Sequence, residues 1–345
     1  MVCENMKVKV VINGFGIIGK RVADAVKKQS DMELIGVVKA HQSYSANIAN
    51  ELGYPLYIAS STNKEDFLKA GSKIEGTLDD ALQMADVVVD ATPDKVGKAN
   101  AEIYKKYKNL KAIWQGGEKA DIAEVSFNAM ANYEKALGKK YVRVVSCNTT
   151  ALCRSIASIK EHYNIKEVNA VIVRRAADPS ETTKGPINSL EPALHIPSHH
   201  GPDVRSVLPD VNIQTMAVKA PTTLMHIHSI IMKINENASA EEILKIFENA
   251  PRIRIFKEND KITGTAELIE YARDLGRARG DLMENAVWKE GLNVVDKTIY
   301  YYQAVHQESI VVPENIDAIH AMFEMFKDKN SSIKSTDNTL GISKN

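Results

Sequence analysis

At 345 residues the chain is long enough for about two domains of ~150 residues, each with its own core. Lys+Arg 44 balance Asp+Glu 44, so no net field recruits nucleic acid or an anionic membrane. Hydrophobic residues at 44% and charged residues at 26% fit a folded soluble protein, and no apolar run approaches the ~18–20 residues of a membrane span.

The first third alternates β-branched runs with helical stretches. Lys7–Asn13 predicts a strand, Gly14-Phe15-Gly16 a turn, and Ile17 to about Gln29 a helix. Glu33–Lys39, Ala85–Ala91, Ala112–Gln115 and Tyr141–Ser146 continue the strand series. Val87, Val88 and Val89 make their run apolar on both faces, as in a buried parallel strand. This alternation predicts an α/β Rossmann-type fold, a doubly wound parallel sheet, over residues 1–146. After Cys147 the texture changes. A helix from about Asn148 to His162 precedes longer strands at Glu167–Arg175, Asn212–Ala220, Leu224–Asn235 and Thr298–Ala304. They predict an α+β domain with a largely antiparallel sheet over 147–312. Asp178–Arg205 reads as a long irregular loop, of the kind that is usually functional. Pro313–Lys327 returns to an amphipathic helix expected to pack back on the first domain, and the chain after Lys329 reads as a tail loosely ordered at its end.

Three cysteines without a CxxC spacing exclude a disulfide framework and a zinc knuckle. The N-terminal stretch Met1–Lys7 lacks the apolar block of a secretory signal, and a cytoplasmic chain with reduced thiols is expected.

Gly14-Phe15-Gly16-Ile17-Ile18-Gly19 is a G-x-G-x-x-G that follows a strand and opens a helix. Its glycines allow a tight turn, close approach of a pyrophosphate and close strand–helix packing, and the helix N-terminus favours the phosphates. The alternative is a turn chosen for packing alone. The second strand ends at Lys39 with no carboxylate to hold a ribose 2′-hydroxyl. Lys39 either neutralises a 2′-phosphate, making NADP acceptable beside NAD, or is a solvated strand-end lysine.

Ser146-Cys147-Asn148-Thr149-Thr150 joins a strand to a helix start, where the backbone field lowers a thiol pKa and favours the anion. The bland reading is a small buried cysteine. Cys153 lies six residues on, about 9 Å along a helix and too far for a disulfide, and reads as core; Cys3 belongs to the N-terminal tail. His226 and His228 share one face of a strand, so both can serve one site as acid or base. A metal on this H-x-H lacks a third ligand with sensible spacing. His199-His200-Gly201 in the long loop and Arg174-Arg175 at a strand end have the chemistry to hold a phosphate. Singly, each is as well explained by a structural or surface role.

Together these stretches resemble the archaeal-type (type II) phosphorylating branch of the glyceraldehyde-3-phosphate dehydrogenase family. The likeness runs through Asn13–Arg21, Gln115–Lys119, Ser146–Thr150, Val173–Asp178, Pro197–Asp203, Pro221–His226 and Ala304–Ser309, in the family's order, from about residue 7 to 325. The resemblance implies Cys147 as nucleophile and His226, rather than His228, as general base. It places Gly14, Gly16, Ile17, Ile18, Gly19, Gly117, Arg175 and Gln307 along the cofactor, and Ser146, Asn148, His200 and Gly201 on the substrate. It further implies glyceraldehyde 3-phosphate and inorganic phosphate as partners, NADP or NAD as cofactor, and a homotetramer. In the bacterial and eukaryotic branch the cysteine motif reads S-C-T-T-N-C and the base histidine follows about 27 residues later. Here the motif is Ser-Cys-Asn-Thr-Thr-Ala, and position 27 after Cys147 is Arg174.

The expected chemistry is thiol attack on an aldehyde, hydride loss to give a thioester, and release of an acyl phosphate by phosphate. Two rivals keep part of it. A reductase of aspartate semialdehyde or N-acetylglutamyl phosphate retains the Cys–His pair, and a substrate panel separates it. A non-catalytic dinucleotide-binding regulator binds cofactor without turnover.

Overall fold

Every peptide group of β1 (Val8–Asn13) is flanked by another strand, and all its residues but Lys9 are buried. In the computed structural model, which describes residues 7–179, 181, 183 and 185–342, β1 is the hinge of a parallel eight-stranded sheet. The other strands are β2 (Met32–Lys39), β3 (Leu56–Ile58), β4 (Gly76–Thr77), β5 (Val87–Asp90), β6 (Lys111–Gln115), β7 (Val125–Phe127) and β8 (Tyr141–Val144). Their order is β4-β3-β2-β1-β5-β6-β8-β7, so the strand order reverses at β1, where doubly wound sheets bind nucleotides. Cys3 lies outside the described residues.

The chain divides into two compact units. The first holds residues up to Ala129, Tyr133–Val145 and Val312–Gly341. Within it the helix Val312–Met322 is buried along its whole length. Most of the expected tail is a helix, Lys329–Leu340, capped by Asp328 and closed by Gly341 in the left-handed region (φ 70°). Its anchors are polar: Ser332 Oγ and Thr336 Oγ1 each donate to buried Asp317 at 2.7 Å. With Ile333 and Leu340 its only buried apolar residues, the helix shows a weak apolar stripe in sequence. Only 343–345 of that tail lie outside the described residues.

The second unit holds Met130–Asn132 and Ser146–Val311, with Ile342. Its strands are β9 (Ile165–Arg175), β10 (Glu191–Pro192), β11 (Ile213–Ala220), β12 (His226–Ile234), β13 (Ile253–Phe256), β14 (Asn285–Trp288), β15 (Asn293–Val295) and β16 (Thr298–Val305). The order is β10-β11-β9-β12-β16-β14-β13, with β15 on β16. The pairs β9–β11 and β13–β14 are parallel and the rest antiparallel, so the sheet is mixed but mostly antiparallel. The helix Cys147–Lys160 is buried from Asn148 to Ile159. Within it Arg154 is fully buried and donates to the carbonyls of Met283 and Ile310. The long loop is shorter than its composition suggests, because His200–Val207 forms a helix. Pro202 sits in that first turn, where no N–H is needed, so here proline marks a helix start rather than irregular chain.

Candidate active site

The glycine turn at the end of β1 is built to keep side chains out. Gly14 has φ +99°, and a Cβ there would lie 2.7 Å from the Ala91 carbonyl carbon. A Cβ on Gly19 would fall 1.9 Å from Gly14 O, so the helix Ile17–Lys28 can approach β1 only without one. Gly16 is exposed, and its Cβ would meet nothing within 4 Å. Ile17 and Ile18 are half-buried in the first helical turn, which carries no acidic side chain to compete for its N–H groups. This arrangement fits a dinucleotide pyrophosphate. Lys39 ends β2 half-buried; burial, then the nearby Lys20 ammonium, pushes its pKa down. Lys20 in turn lies 4.4 Å from the Tyr44 ring centroid. Gly117 follows β6 in the same unit, its Cβ position 3.5 Å from Asp94.

In the second unit Cys147 is the first residue of its helix and faces His226 at the start of β12. Sγ to Nε2 is 3.8 Å. They line a cavity of about 380 Å³ with Ser146, Asn148, Arg174, Arg175, Ala176, Ala177, Asp178, Glu181, His199, His200 and Gln307. The helix start does favour the sulfur anion, but the net effect runs against the expectation. Protein atoms crowd the half-buried sulfur, and burial pushes its pKa up to about 11 despite Arg174, the Asn148 backbone N–H and Arg175. The resting state is therefore a neutral thiol. His226, 3% exposed, is neutral too: burial, then His228, Arg174 and Arg175, hold it well below the ordinary imidazole range.

The choice between the two strand histidines is decided by their partners. His228 is fully buried with both nitrogens engaged, by Gln303 Nε2 at 3.1 Å and Asn148 Oδ1 at 2.8 Å. Only His226 reaches the sulfur. Its Nδ1, however, accepts the Arg175 backbone N–H at 3.0 Å, which bears on the general-base role that the resemblance implies.

The four expected substrate contacts fare differently. Ser146 lines the cavity with its hydroxyl 3.1 Å from Thr149 Oγ1. Asn148 lines it too, but its amide is held at both ends, by His228 and by His200 Nε2 at 3.3 Å. His200 is 1% exposed, stacked on His199 with centroids 3.8 Å apart. Gly201 is buried outside the lining, its N–H taken by Thr215 Oγ1 at 2.9 Å. The Asn148 side-chain amide and the Gly201 N–H are thus engaged within the protein. On the cofactor side, Arg175 donates to Ala177 O and is paired with Asp178 and Glu308, while Gln307 lines the cavity near Asp178.

Arg174 is the residue the sequence undervalued. It was legible as half of an arginine pair and as the occupant of position 27 after the cysteine. Its Nε is buried with no hydrogen-bond partner, and its charge acts on Cys147, His199 and His200. A guanidinium lining a cavity has the chemistry of an anion site.

A family profile described as glyceraldehyde 3-phosphate dehydrogenase, C-terminal domain, matches residues 146–289, the stretch that carries this cavity. A second, described as dihydrodipicolinate reductase, N-terminus, matches residues 8–126. The chain is 54% identical over 339 residues to a glyceraldehyde-3-phosphate dehydrogenase of Pyrococcus abyssi, covering 98% of this chain and all of the relative. It is 55% identical over 339 residues to that of Thermococcus sibiricus, with the same coverage. This chain belongs to the glyceraldehyde-3-phosphate dehydrogenase family. To the glyceraldehyde-3-phosphate dehydrogenase of Methanothermus fervidus it is 50% identical, over 96% of this chain and 98% of the relative. The family is one of oxidoreductases with a Rossmann-type nucleotide-binding fold, which agrees with the parallel sheet and its glycine turn.

The buried imidazoles set an acid limit on stability. Burial lowers the pKa of His200 to about 2 and of His228 to about 3, and His226 is also depressed. Below pH ~6.5 the unfolded chain binds protons that the folded one refuses, so stability is lost as pH falls from there. Each of the three contributes a slope of up to about 1.4 kcal/mol per pH unit. Urea midpoints measured between pH 7.5 and 5 should fall steadily below 6.5; a flat profile would contradict neutral burial.

Proposed function

We propose that this protein catalyses the reversible, phosphate-dependent oxidation of D-glyceraldehyde 3-phosphate to 1,3-bisphosphoglycerate, in glycolysis or gluconeogenesis, with NADP or NAD. The observation that carries the reading is the Cys147–His226 pair in one cavity that Arg174 also lines. Cys147 is the nucleophile, and its adduct with the aldehyde carbon becomes a thioester, which conserves oxidation energy for transfer to phosphate. His226 is the imidazole partner of that sulfur. Gly14, Gly16, Ile17, Ile18 and Gly19 hold the dinucleotide phosphates, with Gly117, Arg175 and Gln307 further along the cofactor. The bound nicotinamide supplies the two-electron acceptor. Lys39, a cation without a neighbouring carboxylate at its strand tip, favours a 2′-phosphate and hence NADP. Initial rates with NAD and with NADP, phosphate present or omitted, test this. Oxidation that ignores phosphate would overturn it.

Arg174 is assigned to the phosphoryl oxygens of substrate or of attacking phosphate. Charge-assisted hydrogen bonds contribute about 1.5–3 kcal/mol, so Arg174→Met should raise the corresponding KM about 10- to 100-fold. Arg175→Met, which leaves buried Glu308 with His306 but without its guanidinium partner, should instead lower the melting temperature; equal effects of the two on KM would contradict the division of labour.

The outer face of the second sheet presents Met216, Val171, Ser229 and Tyr302 as one row across β11, β9, β12 and β16. Ile231 and Tyr300 pair in the next row. Val171 is 40% and Tyr302 50% exposed. A contiguous apolar face of this kind suits association with further copies of the chain, in line with the homotetramer that the resemblance implies. Light scattering at micromolar protein should return four chain masses. No helix among the described residues is long and apolar enough to cross a membrane, and a cytoplasmic setting is proposed.

A further inference from the structure

One buried carboxylate grips the glycine turn from two sides. Asp90 ends β5 beside Asn13, the last residue of β1, and is 3% exposed. Its Oδ2 accepts Tyr104 Oη–H at 2.6 Å and Asn100 Nδ2–H at 2.8 Å, both from the helix Val96–Tyr104. Its Oδ1 accepts the Thr92 backbone N–H at 3.0 Å and the Thr92 hydroxyl. All four partners are neutral donors.

The first arm runs through the phenol. Asn13 Nδ2 donates to Tyr104 Oη at 2.7 Å while the phenol proton points at Asp90. Burial, then the Asp90 charge, keeps that phenol protonated, its pKa well above the ordinary value. Asn13, itself buried, is the residue immediately before Gly14. The second arm runs through the backbone. Asp90 Oδ1 draws the Thr92 N–H inward, and so orients the Ala91–Thr92 peptide. Gly14 packs against the face of that peptide: a Cβ on it would lie 2.7 Å from Ala91 C and 2.8 Å from both Ala91 O and Thr92 N. The Ala91 N–H closes the loop on Asn13 O at 2.8 Å.

Packing alone does not call for this arrangement. A buried charge opposes folding unless its lone pairs are met, and apolar groups of similar shape often serve stability as well. What the carboxylate adds is direction, for the residue before the turn and for the peptide behind it. We propose that Asp90 is a positioning residue of the cofactor site, holding the turn at Gly14–Gly16 in the shape that takes a dinucleotide pyrophosphate. This role rests on the dinucleotide reading of the turn. Being buried, Asp90 acts on the cofactor through Asn13, Gly14 and Thr92.

The test is Asp90→Asn. Its NH2 group must face either Thr92 N–H or Asn100 Nδ2–H, neither of which accepts a hydrogen bond. Titration calorimetry on the substrate-free protein should show NADP and NAD bound about 10- to 100-fold more weakly, the scale of one or two charge-assisted hydrogen bonds. ADP-ribose, which keeps the pyrophosphate without the nicotinamide, should weaken by the same factor. Adenosine, which has no phosphate, should bind as it does to the wild type. In turnover the KM for cofactor should rise while kcat at saturation stays within about twofold. Tyr104→Phe cuts one arm and keeps the charge, so its cofactor affinity should fall between the other two. Wild-type affinity in Asp90→Asn, or ADP-ribose and adenosine weakened alike, would overturn the proposal. Should Asp90→Asn fail to fold, Tyr104→Phe decides, and wild-type affinity there would overturn it equally. Failure of the dinucleotide reading is seen separately, as wild-type protein that binds neither NADP nor NAD.

Discussion

Replacing Cys147 with Ser lowers phosphate-dependent oxidation of glyceraldehyde 3-phosphate by at least about 10³-fold, the scale on which enzymes lose rate with their nucleophile. Serine keeps the size and the helix start but not the acidity. The thiol is already pushed up to about 11 by burial, against the pull of Arg174 and the Asn148 N–H. An alcohol in the same surroundings ionises far less, and an ester in place of a thioester passes its acyl group to phosphate less readily. Cys147 is half-buried at the first helical position, so the exchange should leave stability within about 1 kcal/mol. Steady-state rates and a thermal melt on one preparation check both halves. Near-wild-type activity would remove the nucleophile.

Gly19→Ala and Gly16→Ala should both abolish cofactor binding in practice, but for opposite reasons. At Gly19 the added Cβ falls 1.9 Å from Gly14 O, a backbone atom with nowhere to go, and forces the helix off β1. Overpacking of this kind destabilises by about 1–3 kcal/mol or more, so the melting temperature falls with the affinity. At Gly16 the Cβ meets no protein atom within 4 Å. The fold tolerates it, and the loss comes from filling the space through which a pyrophosphate approaches the backbone. Cofactor titration beside a thermal melt separates the two. A Gly16→Ala protein that binds NADP normally would mean that the turn serves packing alone.

Much of this was legible in residue pattern, and the exceptions share a cause. The strands β1, β2, β5 and β6 follow from apolar periodicity, and the glycine turn from its place after β1. The helix Lys329–Leu340 was not legible because Ser332 and Thr336 bind buried Asp317, which leaves only Ile333 and Leu340 as buried apolar residues on its inward face. His200–Val207 was hidden by Gly-Pro in its first turn. At the site, the His-x-His alternation named two candidates, and only tertiary partners separate them: Asn148 and Gln303 occupy His228, leaving His226 to the sulfur. Nor can spacing show which nitrogen carries a proton, because Arg175 N–H arrives from a different strand. Burial likewise reversed the reading of the thiol, since a helix start is visible in sequence and the crowding around its first residue is not.

The most direct measurement withholds phosphate. Mixed with glyceraldehyde 3-phosphate and NADP or NAD, the protein should reduce one equivalent of cofactor per active site and stop, with the acyl group found by mass spectrometry on the peptide bearing Cys147. Addition of phosphate should release that group and restart turnover. Continued turnover without phosphate, or a burst that leaves Cys147 unmodified, would contradict the account.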